Sequence, residues 1–360
     1  MTEITNKKYY IEILRIIAII GVIFNHTQQR GFVHFTCYEP GTPRFYFYMV
    51  FSVLSGISVP IFFMISGLLL LNKDESLGQL WKRRILKYIC VLVFFSLFYY
   101  LLNLHFDLSQ FSLSEFALTV YSGNVIVPFW FLYIYIAYLI MLPFIRKLVI
   151  RMTATDFLYL MALYLFFNAV LAILQFRLTN DKVMINSLIV PSSLLQITVF
   201  YPVIGYYCGN IIKTITKKHL AILFSLFILS VVLTIYITGY MMITTGDISE
   251  ENAIHFYDST RPFQVIFIFL LVRKLFENKK IHPLAEKAII TAGSCVFGIY
   301  LIEETIRLSF YSVYDYLCTK MNSFIAILIY VLFVFIYCLM IVALFKFLKR
   351  MILKVLSKNK

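Results

Sequence analysis

Residues 9–26 read Y-Y-I-E-I-L-R-I-I-A-I-I-G-V-I-F-N-H. The run is apolar enough to enter a bilayer, yet it carries Glu12 and Arg15 near one end and His26 at the other. A charge at the centre of a membrane span costs roughly 3 kcal/mol on insertion scales, so such residues are usually retained for a function. On an α-helix, positions 15 and 26 are about three turns and about 16 Å apart. Eleven steps of about 100° return to within about 20° of the starting direction, so Arg15 and His26 share one face at different depths. That face reads as the wall of a buried polar site. The plainer alternative is that Arg15 snorkels to the headgroups and His26 rests at the opposite interface. Glu12, three residues before Arg15, is placed to orient it.

The rest of the chain fits the same reading. Of its 360 residues, 61% are hydrophobic and only 14% are charged. Soluble domains average about 45–50% apolar and about 25% charged. The expected fold class is therefore all-α: a polytopic helical bundle in the membrane, forming one domain over residues 1–360. Apolar runs mark about ten spans, at 9–28, 50–72, 85–105, 128–145, 155–176, 190–212, 219–240, 260–276, 288–307 and 323–348. The first run resembles a signal peptide, but it contains Arg15 and no small-residue cleavage site, so it is expected to be retained.

The net charge of +14 is accounted for by basic loops on one side, not by a nucleic-acid partner. With the N-terminus inside, 24 of the 32 basic residues fall on the cytoplasmic side. Seven fall outside, Arg261 and Arg307 among them, and Arg15 lies within a span. Both termini are then cytoplasmic. The tail 346–360 is basic and amphipathic and is expected along the inner leaflet. No soluble domain of 50 residues fits between spans, so any chemistry occurs within or at the membrane lipids.

Several short segments carry candidate chemistry. Ser66-Gly67 permits close approach of a backbone or a ligand. The segment W-K-R-R-I-L-K (81–87) marks a cytoplasmic loop, and Arg83 and Arg84 are candidates to hold phosphate. Trp130 and Tyr133 open the fourth span, either as interface anchors or as part of a site. Tyr300 and Glu303 are helical neighbours. Glu303, if turned inward, would orient His26 or bind sugar hydroxyls, whereas Glu304, about 100° away, reads as solvated. Asp258 near His255 in the 241–259 loop is either a contact for polar substrate groups or, the plainer reading, ordinary loop polarity. Neither the six cysteines nor the histidines have metal-site spacing, so no metal and no resident cofactor is expected. Cys37 and Cys318 both fall in outer loops, where pairing stays open.

Taken in order, these segments resemble the family-3 membrane acyltransferases. The matching residues are R-x(10)-H (15–26), F-F-M-I-S-G (62–67), R-R-I-L-K (83–87), W-F-L-Y…Y-L…P (130–143), Y-P-V-I-G-Y-Y-C-G (201–209) and G-I-Y-L-I-E (298–303). The resemblance implies O-acyl transfer, usually of acetyl from acetyl-CoA, to a hydroxyl of a cell-surface polysaccharide or its lipid-linked precursor, at the cell membrane. It makes His26 and Arg15 central. His26 would act as base or acyl carrier, and Arg15 would bind the acyl-CoA cosubstrate with Arg83 and Arg84. Two departures stand out. Glu303 occupies a position where the family often has histidine, and Tyr88-Ile89-Cys90 lacks the proline that commonly follows the basic segment. A permease or glycan exporter using Arg15 and His26 for coupling is the rival reading. A non-enzymatic subunit of a glycan-assembly complex is a third.

Overall fold

The computed structural model describes residues 9–179, 186–277 and 279–358. Lys7, Lys8, Lys182 and Lys360, used in the charge count, lie outside the described residues. Of the described residues, 84% are helical and none is in a strand. In lipid, a helix is the open-chain solution that satisfies every backbone N–H and C=O internally, which is why an apolar chain takes this form.

The main helices are α1 (Tyr9–Asn25), α2 (Pro43–Ser55), α3 (Ser58–Leu70), α4 (Leu77–Asn103), α5 (Leu113–Ser122), α6 (Val127–Ile150) and α7 (Ala154–Thr179). They continue as α8 (Ile197–Tyr206, extended by a π-helical turn to Ile211), α9 (Lys217–Thr245) and α10 (Tyr257–Phe276). The last are α11 (Pro283–Ser309), α12 (Tyr311–Lys320) and α13 (Ser323–Lys358). Polar residues set several starts: Thr42 caps α2 ahead of Pro43, and Thr216 caps α9.

Among the described residues, seven helices are long and apolar enough to cross a membrane, with α2 and α3 together counting as one. Ten spans were expected. α1 has only 17 residues, α8 only 10 before its π turn, and α10 carries Asp258, Arg261, Arg273 and Lys274. The expected span 190–212 begins later than its apolar run, at Ile197, because Gln196 is extended and residues 187–195 form short turns. The expected span 50–72 begins earlier, at Pro43, with a break at Gly56-Ile57. The basic tail is not a separate element through residue 358: residues 346–358 contain no glycine or proline and continue α13 unbroken.

α1 runs through the centre, packed by α2, α3, α10, α11 and α13. Its Leu14, Ala18, Ile19 and Ile23 are fully buried. Between lipid-embedded helices no hydrophobic drive remains, so close packing through small residues holds the bundle. The α3–α8 contact shows this reciprocally. A Cβ on Gly67 would land on the Pro202 carbonyl oxygen, and one on Gly205 would land on that of Met64. Backbone cannot yield as a flexible side chain can, so Gly205→Val is expected to cost at least about 3 kcal/mol. The measurement is the thermal midpoint in detergent, with Gly78→Ala as control, since nothing lies within 4 Å of a Cβ at that position.

Candidate functional site

At the end of α1, the His26 N–H still donates to Val22 O at 3.0 Å, so the imidazole is held by the helix although it lies one residue past it. His26 Nδ1 lies 2.5 Å from Oε1 of Glu303, a residue 277 positions away on α11 that is 0% exposed. A carboxylate only accepts, so Nδ1–H donates to it and the lone pair sits on Nε2. A lone buried carboxylate would be costly. Arg307, one turn on and itself buried, offsets it: Nε lies 3.7 Å from Glu303 Oε2, and the guanidinium also binds Glu304 Oε2 and the Tyr311 hydroxyl.

Glu304 thus departs from the sequence reading: it is not solvated but paired with Arg307, which is itself buried. The i, i+3 and i, i+4 spacings from Arg307 to Glu304 and Glu303 were the signal that could have found them. His26, Glu303 and Glu304 are also the one group among the described residues whose ligand atoms lie close enough to hold a metal, within 4.8 Å of one another. Arg307 already supplies positive charge to both carboxylates.

The cationic end of the site lies toward the start of α1. Arg15 Nη1 donates to Glu12 Oε1 at 2.7 Å, the expected pair. Glu12 is in turn held against Gly293 of α11, where a Cβ would strike its Oε2. Sequence reasoning missed Glu75. Arg84 Nε donates to both Glu75 oxygens, at 3.1 and 3.0 Å, and Arg146 Nη2 donates to Oε2 at 3.1 Å. Arg146 is fixed further by its Nε donating to Leu70 O at 3.0 Å. Partial burial pushes the Glu75 carboxyl up, but the two guanidiniums outweigh it and hold it below the ordinary range. The pairing is thus complete at neutral pH and is lost only as pH falls through that lowered value.

A single cavity of about 1150 Å³ joins these ends. Its wall includes Arg15 and His26, along with Lys73, Arg84 and Lys87. Ser66 is on the wall too, with its hydroxyl donating to Phe62 O at 2.9 Å. Gly67 is not; it faces α8, as the packing alternative had it. Arg83 is exposed and off the wall. Trp130 lines the cavity, whereas Tyr133 ties α6 to α5 by donating to Val120 O at 2.7 Å. Tyr300 lines it as well and donates to Pro128 O at 2.7 Å, pinning the start of α6 to α11. Cys37 and Cys318 are both free.

The arrangement offers an oriented imidazole base, cations about three helical turns away, and a continuous space between them. A family model described as an acyltransferase domain matches residues 8–346, nearly the whole chain. No curated protein and no solved structure matches.

Proposed function

The chain belongs to the family-3 acyltransferases, and from that premise we propose that it moves an acyl group, most simply acetyl, from cytoplasmic acyl-CoA to a hydroxyl of a cell-surface polysaccharide or its lipid-linked precursor. The observation that carries the reading is the cavity that joins four cations, Arg15, Lys73, Arg84 and Lys87, to the His26–Glu303 pair. The cations suit the phosphates of CoA, with Arg84 aimed by Glu75. The excess of basic residues in the loops at that end supports a cytoplasmic side for it, where acyl-CoA is made. The cell membrane is the expected location.

In this reading His26 Nε2 takes the proton of the acceptor hydroxyl as its oxygen bonds to the thioester carbonyl carbon. Glu303 holds the ring and stabilises the imidazolium. The tetrahedral intermediate collapses, the C–S bond breaks, and His26 returns the proton to the departing CoA thiolate. Acyl transfer is then complete with no group left on the protein.

Proteoliposomes supplied with labelled acetyl-CoA and surface glycan test this. Donor-dependent labelling of the glycan is the expected result. Glycan crossing the membrane with no acyl donor and no labelling would instead establish the exporter. Arg84→Ala is expected to raise the KM for acetyl-CoA about tenfold while leaving the acceptor KM unchanged, which steady-state kinetics reads directly.

A further inference from the structure

The cavity has a second polar wall, carried by other helices than those that carry His26 and the cations. It is formed by Tyr164 and Asn168 of α7, Tyr201 of α8, and Asp258 and Arg261 of α10. We propose that this wall is the acceptor subsite and that it receives an uncharged, hydroxyl-rich sugar ring. The proposal rests on the acyl-transfer reading above and assigns the acceptor its place within it.

Charge separates the two walls. The cationic end carries Arg15, Lys73, Arg84 and Lys87 against Glu12 and Glu75, an excess of positive charge that suits phosphates. The second wall carries one guanidinium bound by one carboxylate, Arg261 Nη1 donating to Asp258 Oδ1, and so is close to neutral. The pair is also unevenly exposed: the Arg261 side chain is 14% exposed and that of Asp258 69%. Arg261 is wedged against Gly56, where a Cβ would crowd its guanidinium, while the carboxylate stays open to accept hydroxyl protons. Ligand pockets fix a polar ligand with a few placed hydrogen-bonding groups such as these, while Tyr164 and Tyr201 pack behind them against Phe200.

The wall is also built rather than incidental. Tyr164 donates its hydroxyl to Asp258 O at 2.9 Å, and Tyr257 donates to Ser52 Oγ at 2.9 Å, so the first turn of α10 is held from both sides. Tyr201 is buried with its hydroxyl beside that of Tyr164, and among the described residues it makes no well-formed hydrogen bond, which leaves it capacity for a ligand hydroxyl. Asn168 lies in a π-helical turn, Phe166–Leu171, that interrupts α7 in mid-span. Such turns weaken the regular ladder and recur at functional sites. Of the other two π-helical turns among the described residues, Trp81–Ile85 carries Arg84 at the cationic end and Tyr207–Ile211 extends α8.

The test uses reconstituted full-length protein, acetyl-CoA, and octyl hexopyranosides as acceptors. Asn168→Ala and Asp258→Asn are each expected to raise the acceptor KM at least tenfold with the acetyl-CoA KM unchanged. Arg84→Ala should show the opposite split. An unchanged acceptor KM in both variants overturns the proposal, as does a joint rise in both KM values. Asn168→Ala keeps the test valid should loss of the Arg261 pair unfold Asp258→Asn, because the Asn168 side chain hydrogen-bonds within its own helix, to Tyr164 O at 3.1 Å. Wild-type protein that hydrolyses acetyl-CoA yet acetylates none of the glycosides overturns the sugar class. Wild-type protein that neither binds nor turns over acetyl-CoA overturns the acyl-transfer reading instead.

Discussion

His26→Ala is expected to lower acyl transfer by about 10²–10⁴-fold, the range that a positioned general base contributes. The effect falls on kcat, because the imidazole acts on the hydroxyl proton as the bond forms and adds little to ground-state binding. Folding is expected to survive. The His26 side chain sits at the cavity wall beyond the end of α1, and the backbone bond to Val22 O does not depend on it. Mass spectrometry of the acetylated product reads the activity, and size-exclusion behaviour in detergent reads the fold. Near-normal transfer by a folded His26→Ala protein would remove His26 from the chemistry. Incubating wild-type protein with labelled acetyl-CoA and no acceptor separates its two possible roles. A base leaves no label on the protein, whereas an acyl carrier leaves label that His26→Ala loses.

Glu303→Gln is expected to lower kcat by about 10²–10³-fold with little change in either KM. The amide keeps the shape of the side chain but not the requirement that Nδ1 be the protonated nitrogen. If its NH₂ faces the ring, Nδ1 must accept, the proton moves to Nε2, and the base is lost. The amide also removes the negative charge that stabilises the imidazolium. Structural damage is limited, because Arg307 keeps its bond to Glu304 and a cation–π contact with Tyr311 at 5.6 Å. Glu303→Ala differs. It leaves His26 and Arg307 facing an empty buried space, and breaking a buried ion pair in this way costs about 3–5 kcal/mol. Comparing the two by kcat and by thermal midpoint separates orientation from stability. If Glu303→Gln keeps normal kcat, the carboxylate is structural only.

Much of the candidate site was legible locally. The eleven-residue spacing placed Arg15 and His26 on one face, and both line one cavity. The i, i+3 spacing gave the Glu12–Arg15 pair. Glu303 was read as having two possible orientations, and only α11 packed against α1 decides between them. Gly67 was read as open to close approach of a backbone or a ligand and Arg83 as a phosphate contact, yet Gly67 packs α3 on α8 and Arg83 lies off the wall. A motif names the segment that matters, but it does not say which side chain of a helical turn faces inward. Glu75 and Arg146 went unread because nothing near either in sequence marks them as partners; they meet across 71 positions.

What the amino-acid sequence determined by itself was the class of the molecule: apolar runs whose backbone, in lipid, must close its hydrogen bonds within helices. It also determined the contents of each helical face, because periodicity is local. The tertiary structure alone decided what those faces meet. The Glu303 partner of His26, the Glu75 aim of Arg84 and the cavity between them depend on how closely helices approach, which small residues such as Gly67, Gly205 and Gly293 permit. That approach is fixed by packing across the whole bundle, which no local period encodes. The run from Tyr9 to His26 states that a polar site crosses the bundle, and the helices folded around it supply the partners that complete it.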